Sequence, residues 1–350
     1  MYEEKIQPVE EMVAWEEFTG RVEILRKLDS WVKNIQRMAS PSTALIAPRR
    51  MGKTVLLDRL VNTVFFKPEY KVAPFYFKVK REHITLRKFL LEYATTFFRQ
   101  YIAYCVQDPF MYRNQSINLA ELLEYTSEHK AVIMAKKFIR GFLNRYNDTK
   151  YDDTRNQWDA FIRTPEDLAS FSGTRAAVII DEFQDMKFFI HDIDEIELKK
   201  IRKELFQNPE IPGTDLTATY DRQSQSKKAP MLVSGSAVTL IFRTVMGGPL
   251  GGRFIFTYLK PLSIPDGAVL LQTLLSMYAP KKTISPEIAL YASTQAGAHP
   301  YYLYCIAIST HEEEKLESKD VIDRIISHET QQGYIYGFWQ THFEDNRKYI

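Results

Sequence analysis

Short apolar runs ending in Gly, Ser or acidic residues alternate with helix-spaced apolar positions along the first three quarters of the chain. Residues 43–47 are another apolar run, and the pattern becomes an amphipathic helix from Lys53 onward. Residues 72–79 alternate apolar and aromatic side chains and predict a second strand, followed by a helix over 84–105. Ala176-Ala177-Val178-Ile179-Ile180 is apolar throughout, as a strand buried on both faces must be. Met231-Leu232-Val233 and residues 254–259 predict two further strands. Val22, Ile24, Leu25, Leu28, Trp31 and Val32 predict one apolar helical stripe, and 195–207 a charged helix. Helical patterns near 118–146 and 157–170, parted by the polar run Asn147-Asp148-Thr149-Lys150-Tyr151-Asp152-Asp153, predict either a helical insertion over about 106–172 or an ordinary crossover helix with a long arm. Residues 208–229 have the composition of a mobile loop, and from Ile264 onward the patterns are helical only. Strands alternating with helices imply a parallel sheet covered on both faces, with ligand at the strand carboxyl ends.

Chemistry enters where the first strand meets its helix, at Ala47-Pro48-Arg49-Arg50-Met51-Gly52-Lys53-Thr54-Val55. Backbone N–H groups of such a loop and the positive end of the next helix form an anion cradle. The Lys reaches β and γ phosphates, and the Thr hydroxyl takes a place on Mg2+. Lys53 and Thr54 fill those roles here. Ala47 stands where the G-x-x-x-x-G-K-[ST] pattern has its first Gly, and Pro48 supplies by stiffness part of what that Gly permits. Gly52 remains where backbone passes closest to phosphate.

The second buried strand ends in Asp181-Glu182. An acid at that end can hold Mg2+ beside the phosphate loop, the role assigned to Asp181, and Glu182 can act as base for an attacking water. Ser234-Gly235-Ser236 ends the next strand, where a hydroxyl such as Ser234 can sense the γ-phosphate or orient water. The alternative there is Ser236 as N-cap of a helix over 237–245. The Gly-rich turn 246–252 delivers Arg253 before the last strand. Arg253 either reaches a nucleotide phosphate, in its own subunit or a neighbour of a homo-oligomer, or anchors a loop to a carboxylate. Gly297-Ala298-His299-Pro300-Tyr301-Tyr302 opens a helix whose rigid first turn can lie against adenine.

Composition narrows the class. At 350 residues and 45% hydrophobic the chain can fill a core of two or three domains. A net charge of +2 carries no polyanion-binding signature, so nucleic acid is not indicated. The local cluster Lys78, Lys80, Arg81, Arg87 and Lys88 reads as a solvated face. Cys105 and Cys305 read as buried free thiols in a reducing cytoplasm. No apolar run reaches membrane-span length, the acidic Met1-Tyr2-Glu3-Glu4 is unlike a signal peptide, and no His stands at zinc-ligand spacing from Cys.

Six segments in order, Phe18-Thr19-Gly20-Arg21, the Ala47 to Thr54 loop, Val178 to Gln184, Ser234-Gly235-Ser236, Pro249 to Arg253 and Gly297 to Leu303, resemble the archaeal-type ATPase family, related to AAA+ and STAND P-loop ATPases. The resemblance spans about residues 15–310. It implies ATP, a RecA-like P-loop core with a parallel sheet, and a small α-helical lid. It also implies nucleotide contacts from Gly20, Arg21 and Pro300 and an arginine-finger-like role for Arg253. Ala298 departs from the second Gly of the lid motif. The expected organisation is an N-terminal lead-in over 1–42, a core over 43–262 and a lid over 263–350, with an effector domain expected beyond Ile350. Three functions follow in order of support: an ATPase that switches its lid and a protein client, a nucleotide-binding interaction module with little turnover, and an AAA+ remodeller of nucleic acid. The paired acids favour the first, since a pure binder needs no base.

Overall fold

The computed structural model of the chain describes residues 18–148, 154–207, 213–310, 316 and 318–347. Met1 to Glu4, most of the polar run before Thr154, the start of the 208–229 segment and Lys348 to Ile350 lie outside the described residues. The described residues divide into two compact units, one holding Arg26–Ala47 and residues 57–258, the other residues 18–25, Pro48–Leu56 and residues 259–347.

In the first unit the apolar runs become strands. These are β1 (Thr43–Ile46), β2 (Val72–Lys78), the short β3 (Ile84–Thr85), β4 (Arg175–Asp181), the short β5 (Ile190–His191), β6 (Met231–Gly235) and β7 (Ile255–Tyr258). Five of them form one parallel sheet in the order β2-β4-β6-β1-β7, and β3 pairs with β5. The helices are α1 (Val22–Gln36), α2 (Lys53–Phe65), α3 (Leu86–Val106), α4 (Pro109–Arg113), α5 (Leu119–Glu124), α6 (Lys130–Asp148), α7 (Thr154–Phe161), α8 (Thr164–Ser172), α9 (Met186–Phe189), α10 (Glu195–Gln207), α11 (Asp221–Ser224) and α12 (Val238–Met246). The stripe of α1 is buried at Leu28, Trp31, Val32 and Ile35, whereas Val22 is exposed.

β2 is an edge strand, and its outer hydrogen-bonding groups are satisfied by side chains, which removes the hazard an open edge presents. Gln100 of α3 accepts from Tyr76 N–H at 2.8 Å and donates to Tyr76 C=O at 3.1 Å. Tyr112 of α4 donates to Pro74 C=O at 2.9 Å, and Tyr104 accepts from Val72 N–H at 3.2 Å. Pro74 is tolerated because an edge residue need not donate. An aromatic layer covers this part of the sheet: Phe75 meets Tyr93 and Phe97 edge-on, and Trp158 packs on Phe89 and Tyr93.

The loop composition of 208–229 hides ordered structure. Thr217–Tyr220 is a 3-10 turn leading into α11, and Tyr220 is fully buried against Phe183 and Trp158. Trp158 Nε1–H donates to Thr219 Oγ1 at 2.9 Å. Tertiary burial of one aromatic residue overrides the polar composition around it.

The second unit gathers α13 (Ile264–Tyr278), α14 (Pro286–Gln295), α15 (Pro300–Ser309), α16 (Lys319–Gln331) and α17 (Tyr334–Arg347) with the 48–56 loop. Ser263, Ser285 and Ser318 cap α13, α14 and α16 by accepting from the N–H three residues on. Leu271, Leu275, Ala292, Leu303, Ile306 and Ile322 form its core. The fold is therefore an α/β core with a parallel sheet and a helical C-terminal region.

Two outcomes test this packing. Gln100→Leu strands both Tyr76 backbone groups and lowers unfolding free energy by about 2 kcal/mol; an unchanged urea midpoint contradicts the edge assignment. His83 Nδ1 and His191 Nε2 lie 2.8 Å apart across β3 and β5. Burial, aided by His83, holds His191 down to about 4. The unfolded imidazole, near 6.5, binds its proton first, so stability present above about pH 6.5 is lost as pH falls toward 4. Melting temperature should drop less over that range in His191→Asn than in the parent, and equal losses contradict the assignment.

Candidate active site

The phosphate-loop candidate is built by alternation of backbone hand. Arg50 (φ 61°) and Gly52 (φ 79°) occupy the left-handed region, and Ala47, which replaces the expected first Gly, does not. A side chain is therefore tolerated at Ala47, which is fully buried. A Cβ built on Gly52 would meet no heavy atom within 4 Å, so backbone there faces open space of the kind a phosphate needs. Lys53 and Thr54 begin α2, whose first turn carries no acidic residue, and the positive end of a helix suits an anion. Lys53 is buried.

Three contacts within the second unit hold this loop. Arg21, itself left-handed at φ 65°, donates to Met51 C=O at 3.0 Å and to Lys260 C=O. Burial pulls the Arg21 guanidinium down to about 10 against the opposing charge of Asp266. Gly20 backs onto the Asp266 carboxylate. The Arg50 guanidinium lies over the Tyr301 ring at 3.9 Å and near Phe338 at 4.9 Å, so its side chain grips α15 and α17. Arg21 and Arg50, expected as nucleotide contacts, thus engage the loop backbone and the helices respectively. Pro300 opens α15, preceded by Gly297 (φ 57°) and Ala298 (φ 49°). Ala298 holds the left-handed turn that the resemblance expects of Gly, at a cost of about 1 kcal/mol. His299 stacks on Tyr302 at 4.2 Å, and burial, then the Arg21 charge, hold its imidazole near 4.

In the first unit the register of parallel strands assembles the acids. β4 pairs with β6 through Val178↔Met231, Ile179↔Leu232 and Ile180↔Val233, so Asp181 comes beside Ser234. Asp181 is fully buried, and its Oδ1 accepts from the Ser234 hydroxyl and from Glu182 N–H at 3.0 Å. β6 in turn pairs with β1, the strand that runs into the loop, through Leu45↔Ser234 and Ile46↔Gly235. The chain turns after Asp181 through Glu182 in the left-handed region (φ 54°, ψ 41°), then a 3-10 turn over Phe183–Asp185.

The Glu182 carboxylate is held by neighbours that sequence reading does not identify. Its Oε2 accepts from Ser236 N–H at 3.0 Å, Ser236 Oγ–H at 2.9 Å and Gln184 Nε2–H at 2.7 Å. Ser236 is therefore no helix cap: Ala237, whose methyl group cannot accept a hydrogen bond, occupies the N-cap of α12, and the Ser236 hydroxyl is committed to Glu182. Gln184 also donates to Asp185 at 3.1 Å, and Asp185 accepts from Arg81 Nε at 2.8 Å. Burial raises the Asp185 carboxyl above its ordinary range, against the pull of Arg81. Arg253 is engaged elsewhere, donating to Asp221 at 3.0 Å, the loop-anchoring arrangement. The signal for Gln184 lay in its place two residues after the base candidate, and Arg81 had none beyond charge.

No protein-family model and no curated protein matches the chain by sequence. Among solved structures it is similar to the Walker-type ATPase PABY2304 of Pyrococcus abyssi, with a TM-score of 0.54 at 16% identity over 99% of this chain and 80% of that one. It also aligns with PCH-2 of C. elegans at 10% identity and with the Aeropyrum pernix ORC2 protein, solved with ADPNP and ADP, at 13%. Each of these two alignments covers 89% of this chain and 69% of the other, with a TM-score of 0.43. The likeness to PABY2304 is one of fold: the chain has a RecA-like α/β core with a helical C-terminal region.

The Arg50 stack yields a direct test. Arg50→Ala removes contacts worth about 1 kcal/mol, so amide exchange across Tyr334–Arg347 should accelerate several-fold while that of α14 stays unchanged. Equal exchange in parent and variant contradicts an anchoring role.

Proposed function

We propose that the chain binds ATP on its 47–55 loop, hydrolyses it to ADP and phosphate, and uses the cycle to change the arrangement of its C-terminal helices. The observation that carries this reading is the strand order. The strand ending in Asp181-Glu182 and the strand feeding Gly52-Lys53-Thr54 flank a third, β6, whose carboxyl end supplies Ser234 and Ser236. In α/β sheets ligands bind beyond the carboxyl ends of the strands.

Each residue then has a role set by its chemistry. The loop amides and Lys53 take the β and γ phosphates, and Lys53 offsets their charge. Thr54 and Asp181 are the oxygen donors suited to Mg2+, a hard cation that prefers a few protein oxygens together with phosphate. The fit rests on Asp181, a buried carboxylate oriented by the Ser234 hydroxyl as a metal-ligating acid usually is. Bound Mg2+ would supply charge neutralisation at the phosphates. Ser234 acts here by orienting Asp181. Glu182 accepts the proton of the attacking water. A γ-phosphate role for Arg253 requires its release from Asp221.

The link from nucleotide to helices is Arg50. It belongs to the phosphate loop by sequence and to α15 and α17 by its side chain, so adjustment of the loop around phosphate reaches both helices. A protein client or effector domain would read that movement. No helix among the described residues is long and apolar enough to cross a membrane.

Titration calorimetry and phosphate release separate the roles. Lys53→Ala should abolish detectable Mg-ATP binding. Glu182→Gln should retain affinity and lose turnover by about 10²–10⁴-fold, since a base acts mainly in the transition state. Unchanged affinity in the first variant removes the phosphate-loop assignment, and parental turnover in the second removes the base.

A further inference from the structure

Three hydrogen bonds converge on one oxygen of Glu182, and all three come from two residues that have no assigned part in the reaction. Ser236 contributes backbone and hydroxyl donors, and Gln184 contributes its amide. The Gln184 amide can stand only one way round. Its Nε2 faces two carboxylate groups, Glu182 and Asp185, so a flipped amide would set oxygen against oxygen. Its Oε1 is buried with no hydrogen-bond partner, and a Cβ on Gly235 would overlap it. Gly235 is thus required for close approach, and the middle residue of Ser234-Gly235-Ser236 gains a reason that strand propensity does not give it. Behind Gln184, Arg81 fixes the far side of Asp185.

A buried amide with an unsatisfied oxygen loses stability unless the arrangement serves something else. Glu182 adds to that cost through its left-handed backbone, an uncommon conformation for a residue with a long side chain. Strain at Glu182 and an orphaned acceptor two residues on at Gln184, both serving the orientation of one carboxylate, indicate where the local stability has been spent.

We propose that Gln184 and Ser236 are positioning residues for Glu182, fixing its carboxylate in the orientation that accepts a proton from the attacking water, with the Arg81–Asp185 pair locking Gln184 from behind. This rests on the reading of Glu182 as the base. In the step served, the water oxygen bonds to the γ-phosphorus and the bond from that phosphorus to the β-γ bridging oxygen breaks. The electron pair leaves on ADP, and the water proton passes to Glu182 and from there to phosphate or solvent. Neither positioning residue touches nucleotide in this scheme, so both act on turnover and leave binding alone.

The test is a kinetic cycle in the full chain, with ATP affinity measured by calorimetry and turnover by phosphate release. Gln184→Leu should lower kcat by about 10²-fold, the scale of a misplaced catalytic group. Ser236→Ala, which keeps the backbone donor, should lower it by about tenfold, and ATP affinity should stay within about threefold in both. Ser236→Thr restores the hydroxyl and should restore kcat. In the Glu182→Gln background, neither Gln184→Leu nor Ser236→Ala should reduce turnover further, because the group they position is gone. Parental kcat in Ser236→Ala and Gln184→Leu, or losses that persist undiminished on Glu182→Gln, overturns the proposal while leaving the base intact. Parental turnover in Glu182→Gln itself removes the base reading instead. If Gln184→Leu fails to fold, the half-buried Ser236 pair of variants decides alone.

Discussion

The hydrogen bond from Ser234 to Asp181 depends on the parallel register of β4 on β6, and the rest of the acidic site depends on the same register. A shift of β4 by one residue would turn Asp181 to the opposite face of the sheet and carry Glu182 away from Ser236. The register is specified by burial: Val178, Ile179 and Ile180 are wholly inaccessible, and so are Met231, Leu232 and Val233 across from them. The chemistry at the strand ends is thus secured by packing along the strands.

Backbone strain is distributed in the same spirit. Among the described residues seven non-glycine positions have positive φ, and four of them, Arg21, Arg50, Glu182 and Ala298, lie in segments that the sequence marks as chemically relevant. Each is held by a specific contact: Arg21 on Met51, Arg50 on Tyr301, Glu182 on Ser236, and Ala298 through the Leu262 N–H that donates to its carbonyl at 3.1 Å. Strained conformations persist where the surroundings over-determine them, and they gather at functional sites.

Much of this is legible in the amino-acid order. Buried strands advertise themselves as unbroken apolar runs, which is why β1, β4 and β6 and the loop and acids at their ends stand out. The side-chain partners do not. Ser236 reads as a helix cap because its local sequence supports one, while its partner Glu182 lies in another strand unit and leaves no periodic trace. Arg50 reads as a phosphate ligand from its place in the loop, and its aromatic partners come from helices far along the chain. Residues 217–224 read as loop because polar residues outnumber the one buried tyrosine that anchors them.

In the proposed function, water attacks the γ-phosphorus of ATP on this chain under the direction of Glu182. Phosphate release from Mg-ATP in water enriched in the heavy oxygen isotope tests it most directly. Released phosphate should carry one solvent oxygen per turnover, ADP should carry none, and the signal should vanish in Glu182→Gln. Phosphate release no faster in the parent than in Lys53→Ala would contradict it, and so would solvent oxygen appearing in ADP.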